Sequence, residues 1–458
     1  MAIVLSAVMV LSLAACGQQA APAASEAPAA PAAPAAAEAA SAESHDPVTL
    51  SIWIYNDPGS DVIYNDWAAE VKQKYPWITV EVEVIPYDSG PEKFTVACAT
   101  NTTPDMYYDV YSRIAPAVNS GLTIDLTDLI NEHPQAFMSP QADGKMADGK
   151  FGFLATGTGA GYGFAFNYSL AEQLGVADMI PADRSVWSFD QFLEVCRKAK
   201  AADPNVIPVA LFAGSRSSDA FYYSWLIGNG VQLTNADLTA TAFNEGESKE
   251  KALEVYNLFK TLIDEGLTND GLAGTLDQDT DTMYYSGNVL FKSDCVNCPP
   301  VHQAAMDAGT CVPFVPDAVA LPTKEGKEAP KTVCFGSNGF CGFNNNGHEE
   351  EIKLALGVWL DNPDYQKRFC ECTGYLPLMN NAGAKFDDAS LQSKYDFGVK
   401  YTAEHAVSDF GILQPWWTDF RETHYPQLQD FYVGKQDAES LLNNWQAAAD
   451  AVIAKGNQ

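Results

Sequence analysis

Two runs rich in β-branched residues, Val48-Thr49-Leu50-Ser51-Ile52-Trp53-Ile54 and Ile78-Thr79-Val80-Glu81-Val82-Glu83-Val84, limit the fold class through what stands between them. The first run breaks at Asn56-Asp57-Pro58-Gly59, a turn signal. Trp67, Val71 and Tyr75 then recur at four-residue spacing, which predicts a helix with one apolar face, ended by Pro76. Strand, helix and strand in so short a stretch form a β-α-β unit, whose strands lie parallel because the helix carries the chain back across the sheet. Thr103-Pro104-Asp105 opens a further strand, Met106-Tyr107-Tyr108-Asp109-Val110. This part reads as an open α/β sheet with helices on its faces, and such sheets bind ligands beyond the carboxyl ends of their strands.

Ahead of this unit the chain has a different character. An uncharged apolar run from Ala2 ends in Leu13-Ala14-Ala15-Cys16-Gly17. Its length suits the core of an export signal, about 7–15 residues, and is short of the ~20 that a spanning helix needs. Small residues before a single cysteine predict a lipobox: residues 1–15 are a signal peptide, and Cys16 carries lipid at the start of the mature chain. The first lysine is Lys72, so the usual basic residues before the core are expected upstream of Met1. Residues 16–46 are dominated by Ala, Pro, Ser and Glu and offer no core, which predicts an extended tether. Such a chain would be exported and held by lipid at the outer face of the cell membrane.

From residue 47 onward the chain exceeds the size that one core usually serves, so two lobes are expected. Lys+Arg number 27 against 59 Asp+Glu, and the net charge of -32 repels nucleic acid and anionic headgroups alike. Nine cysteines accompany Cys16, an odd number that cannot all pair within the chain. Cys295 and Cys298 have half a zinc-site spacing with no second half nearby, and Cys370 and Cys372 stand too close for the usual chelate. The acidic run at Asp277 fails as a calcium loop at Thr282 and Asn288. Buried, reduced thiols are therefore expected, with no metal and no cofactor.

The glycine-dense stretch Thr156-Gly157-Thr158-Gly159-Ala160-Gly161 reads as a crossing between lobes and lacks the ending of a phosphate loop. Later segments are more helical. Phe189, Phe192 and Cys196 share one face, a helix through Tyr256 and Phe259 ends at Gly266, and a last amphipathic helix follows Asp437 as N-cap.

These blocks, in this order, resemble the extracellular solute-binding proteins of ATP-binding-cassette sugar importers, the maltodextrin-binding group among them. The resemblance is carried by Ile52 to Asp57, by Thr103-Pro104-Asp105 through Ser120-Gly121-Leu122, and by Gly149-Lys150-Phe151-Gly152 to Phe166-Asn167. Tyr285 to Phe291, Gly374-Tyr375-Leu376-Pro377 and the aromatic end from Trp416 extend it. It implies two α/β lobes with the ligand cleft between them and a helical C-terminal region. Residues 47–158 and 319–345 would form the first lobe, and residues 159–318 and 346–458 the second. It also implies a monomer that does no chemistry and delivers its solute to membrane permease subunits.

By position, Tyr55, Asn56, Asp57, Asp109 and Arg113 resemble the family's first-lobe ligand residues. From the second lobe Asp219, Tyr222, Trp225, Asp294, Trp416 and Trp417 are expected, and Asn338 as a further donor on a return strand. A pyranose has an apolar C–H face for aromatic stacking and a rim of hydroxyls for carboxylates, amides and guanidinium, so a neutral oligosaccharide is the expected ligand. At Asp294-Cys295-Val296-Asn297 the chain departs from relatives that have an aromatic platform there. The competing readings are a cell-surface glycoside hydrolase, which would also line a cleft with carboxylates, and a binding protein for a cationic solute such as a polyamine. Neither a Gly-x-Ser-x-Gly elbow nor a His-Glu-x-x-His helix is present. For Trp225 a place in the core, and for Asp57 a helix cap, compete with ligand contact.

Overall fold

The computed structural model describes residues 45–456 apart from 58, 87, 88, 142 and 346. The expected signal peptide, the lipidated Cys16 and nearly all of the tether lie outside the described residues. Within the described residues no helix is long and apolar enough to cross a membrane.

β1 (Val48–Tyr55), α1 (Ser60–Lys74) and β2 (Ile78–Ile85) form the β-α-β unit, with parallel register from Val48 opposite Ile78 to Tyr55 opposite Ile85. α2 (Gly90–Thr100) leads to β3 (Met106–Val110), which pairs parallel with β1, and α3 (Tyr111–Asn119) follows at once. β4 (Leu154–Thr158) completes this stretch before the chain crosses at residues 159–161 into β5 (Tyr162–Asn167). β6 (Ile207–Ala210), β7 (Val289–Cys295) and β8 (Pro316–Ala320) join β5 in a second sheet of order β6-β7-β5-β8. β9 (Thr332–Val333) precedes the return to the first sheet through β10 (Ser337–Gly342) and β11 (Leu376–Pro377). β12 (Ala406–Val407) pairs with β9. The first sheet has the order β11-β4-β10-β3-β1-β2.

Alternation along β1 explains why that sheet is covered on both sides. Leu50, Ile52 and Ile54 pack with Tyr64, Trp67 and Val71 of α1, while Trp53 and Tyr55 pack on the opposite face with Phe94 of α2 and Ile114 of α3. The second sheet has its own core, in which Phe164, Phe166 and Phe291 meet Phe192 and Trp225. The helices Trp417–Arg421, Tyr425–Tyr432 and Ala438–Gly456 add to that core, and Trp445 stacks on Phe243 at 3.7 Å. This is the mixed α/β architecture with a helical C-terminal region expected from the sequence.

Two boundaries differ from the expected division. β8 reaches back to Pro316 in the second sheet, so the chain regains the first sheet only at Ser337 and not near residue 319. The helices Glu349–Asp361 and Pro363–Thr373 pack on the first sheet, although residues 346–458 were expected in the second lobe. The cause is apolar: Trp359 stacks on Tyr64 at 5.2 Å, and the Trp67 indole donates to the Ala355 carbonyl at 3.0 Å. At the crossing, Thr332 Oγ1 accepts from the Tyr162 N–H and donates to its carbonyl, at 2.7 and 3.1 Å. A Cβ on Gly161 would lie 2.3 Å from the Thr332 methyl, so this approach requires glycine.

Candidate functional site

Beyond the carboxyl ends of the parallel strands β2 and β3, residues of α2 and α3 border a cleft. Pro91, Phe94, Thr95 and Cys98 recur at helical spacing on α2, and Ser112, Arg113, Pro116 and Ala117 on α3. These residues line the cleft, of about 190 Å³, whose other wall comes from the second lobe: Arg216, just ahead of the helix Asp219–Gly228, and Trp417, Thr418 and Arg421. Trp417, Thr418 and Arg421 share a face of their short helix.

Beneath α3 lies a buried polar cluster. Asp109, at the end of β3, accepts from the Tyr55 hydroxyl at 2.7 Å, the Tyr107 hydroxyl at 2.9 Å and the Val110 N–H at 2.6 Å. The two hydroxyls share Oδ2, while Arg113 stands 3.6 Å from Oδ1, the oxygen that accepts from Val110, and 5.3 Å from the centre of the Tyr55 ring. Burial pushes the Asp109 carboxyl above its ordinary range, opposed by Arg113 and the hydroxyl donors. Burial and the neighbouring Asp109 together push Asp57 up to about 6. Across the cleft, Arg421 donates through Nε and Nη2 to the two oxygens of Asp219, and its guanidinium lies 4.9 Å from the centre of the Phe335 ring. Arg216 donates to Glu422 at 2.9 Å.

The expected site residues therefore separate. Arg113 and Trp417 line the cleft, with Asp109 and Tyr55 behind Arg113 and Asp219 behind Arg421. Asn56 is exposed and Asp57 half-buried at the turn after β1. Tyr222 accepts from the Tyr432 hydroxyl at 2.7 Å and packs on Phe259, and Trp225 is enclosed among Phe164, Phe189 and Phe259. Trp416 fills the space beside Gly411 and Gly456; Trp417 is buried in the same core and also borders the cleft. Asn338 is buried at an irregularity in the pairing of β10 with β4.

Asp294 sits at the end of β7, outside the cleft lining, and accepts from the Lys292 ammonium at 2.7 Å with His302 Nε2 at 3.0 Å. Burial would raise this carboxyl, but Lys292 and His302 outweigh it and hold it well below the usual carboxylate range. Asp294, Cys298 and His302 bring three possible ligand atoms within 4.8 Å of one another, a grouping that the spacing of Cys295 and Cys298 did not reveal. Lys292, also 2.7 Å from Asp281, already supplies a cation there. Phe94, Arg216 and Arg421 line the cleft and were missed from sequence. The available signals were the i, i+4 spacing of Trp417 and Arg421 and the helical face that carries Phe94.

Residues 58–358 match the profile of a family described as bacterial extracellular solute-binding protein. A Brucella abortus protein named as a putative binding protein is 24% identical over 395 residues, covering 84% of this chain and 89% of its own. Among solved structures, a solute-binding protein of an ABC transporter from Thermotoga lettingae, bound with α-D-tagatose, superposes with a TM-score of 0.72 at 16% identity, covering 88% of this chain and 99% of the other. An ABC substrate-binding protein from Listeria monocytogenes, in complex with cycloalternan, gives a TM-score of 0.69 at 18% identity and covers 89% and 99%.

Proposed function

Because this chain belongs to the bacterial extracellular solute-binding proteins, we propose that it captures an oligosaccharide in the cleft between its lobes and delivers it to the permease of an ATP-binding-cassette importer. The observation that carries this reading is the lining itself. Phe94 on one wall and Trp417 on the other, both packed in their lobes' cores, border the cleft with aromatic carbon suited to a ring face, and Arg113, Arg216 and Arg421 border it with planar donors suited to oxygen atoms. The solved neighbours named above hold a sugar and a cyclic saccharide, which favours the same ligand class here. At about 190 Å³ the cleft is smaller than the ~300–1,000 Å³ usual for small-molecule sites, so an oligosaccharide enters with the lobes further apart and the crossing segments take up the motion.

The protein works without catalysis, as a monomer tethered through lipid on Cys16. Support for the anchor is the apolar run that ends at Cys16, followed by the Ala/Pro tract. Calorimetry of the purified protein against a panel of oligosaccharides, with the products checked for shorter chains, tests the reading. Binding without cleavage is expected. Chain shortening would favour a hydrolase, and binding only of a cationic solute would favour the polyamine reading. For the anchor, Cys16→Ser should release soluble protein from the envelope, and a variant retained there after a salt wash would contradict it.

A further inference from the structure

We propose that the sugar captured in this cleft is acidic: an oligosaccharide carrying carboxylates, as a chain of uronic acid residues does, held by Arg113, Arg216 and Arg421. The proposal rests on the reading of the cleft as a sugar site and replaces the neutral ligand expected from sequence. Three of the six arginines in a chain of net charge -32 line this one cavity, and no Lys, Asp or Glu stands beside them in its lining among the described residues. They come from separate places: α3, the turn before the helix Asp219–Gly228, and the helix Trp417–Arg421. Three guanidinium groups from both lobes thus border one space, where a single anionic ligand meets all of them.

Each guanidinium is held from behind by a carboxylate outside the lining: Arg421 by Asp219, Arg216 by Glu422 at 2.9 Å, and Arg113 by Asp109 at 3.6 Å. Arg421 donates from Nε and Nη2 to Asp219, and Arg216 from Nη1 to Glu422, which orients each planar fork. A planar fork pairs bidentately with an oxyanion such as a carboxylate, which an uncharged hydroxyl does not match. Ser112 and Arg113 also lie in the first turn of α3, where the helix end adds partial positive charge. The net negative charge of the molecule does not oppose binding at this site in ordinary salt, because exposed charges further than about 8–10 Å are screened. Phe94 and Trp417 remain as contacts for the ring, so the cleft combines the two halves of an acidic sugar.

The test is calorimetry of the intact protein with oligomers of galacturonate, mannuronate and guluronate, with the same oligomers after reduction of their carboxyl groups, and with neutral and sulfated oligosaccharides. At least one uronate oligomer should bind about tenfold or more tightly than its reduced form, and should weaken as ionic strength rises. Arg216→Gln should remove most of that preference while the far-UV spectrum and thermal midpoint stay near those of the parent, since its partner Glu422 is exposed and such a pair adds little to stability. Arg113→Gln gives a second reading from the other lobe. Equal binding of reduced and acidic forms, or stronger binding of sulfated ones, overturns the proposal and leaves sugar capture standing. Absence of binding by every saccharide overturns both.

Discussion

Arg421 holds Asp219 through two parallel hydrogen bonds, from Nε and from Nη2, and so ties the C-terminal helices to the start of the helix Asp219–Gly228. Both residues are buried, and the pair forms the support of the second-lobe wall of the cleft. Asp219, expected as a ligand residue, is absent from the cleft lining and holds an arginine that lines it.

Asp219→Asn should therefore act on stability as well as on binding. Leaving one member of a buried pair without its counter-charge costs about 3–5 kcal/mol. Urea denaturation should show a loss of that order, with weaker ligand affinity in the protein that remains folded. An unchanged midpoint would mean that the pair is not closed in solution.

The adjacent tryptophans should separate cleanly. Trp416 is packed where a Cβ on Gly411 or Gly456 would come within 2.3 and 2.5 Å of it, so Trp416→Ala should destabilise by about 3–5 kcal/mol and leave the affinity of folded protein within about twofold. Trp417→Ala should weaken binding by about 30-fold, and Trp417→Phe, which keeps most of the volume, by less. Equal losses of affinity for Trp416→Ala and Trp417→Ala would contradict this placement.

Tyr55 and Tyr107 both donate to Asp109, and each such bond to a charged acceptor is worth about 1.5–3 kcal/mol. Tyr55→Phe should lower stability by that amount and disturb Arg113, whose guanidinium lies over the same ring. Chemical denaturation measures the first effect and titration calorimetry the second.

Burial lowers the pKa of His424 from 6.5 to about 3, beside Tyr256 and Trp445. Between those values the unfolded chain holds a proton that the folded chain lacks, so stability rises with pH across the window. The contribution is present in full above about 6.5 and declines as pH falls, by up to about 1.4 kcal/mol per unit. Denaturation of the parent and of His424→Gln at several pH values from neutral to acidic should show a shallower slope for the variant. Identical slopes would mean that His424 is hydrated or charged in the fold.

Local pattern was the legible part of this chain. β1, α1 and β2 follow from alternation, a four-residue repeat and Pro76, and the C-terminal helix is capped where expected, with Asp437 accepting from the Ser440 N–H at 2.8 Å. Which sheet an amphipathic helix joins is a long-range choice. The apolar face through Ile352, Leu356 and Trp359 has no mark that assigns it to Tyr64 and Trp67 rather than to the second core. The same limit applies to side-chain direction at the site: Trp416 and Trp417 are equivalent in sequence, and only the fold shows that Trp416 packs beside Gly411 and Gly456 while Trp417, buried in the same core, also borders the cleft. Arg216 and Arg421 are over 200 residues apart along the chain, and pairing with Glu422 and Asp219 places both at one cleft.

The most direct test of capture between two lobes is small-angle X-ray scattering of the protein with and without a saturating oligosaccharide ligand, in parallel with Trp417→Ala at the same ligand concentration. The account predicts a smaller radius of gyration on ligand addition for the parent, and little or no change for the variant. Tight binding with no contraction in the parent, or the same contraction in Trp417→Ala without loss of affinity, would contradict it.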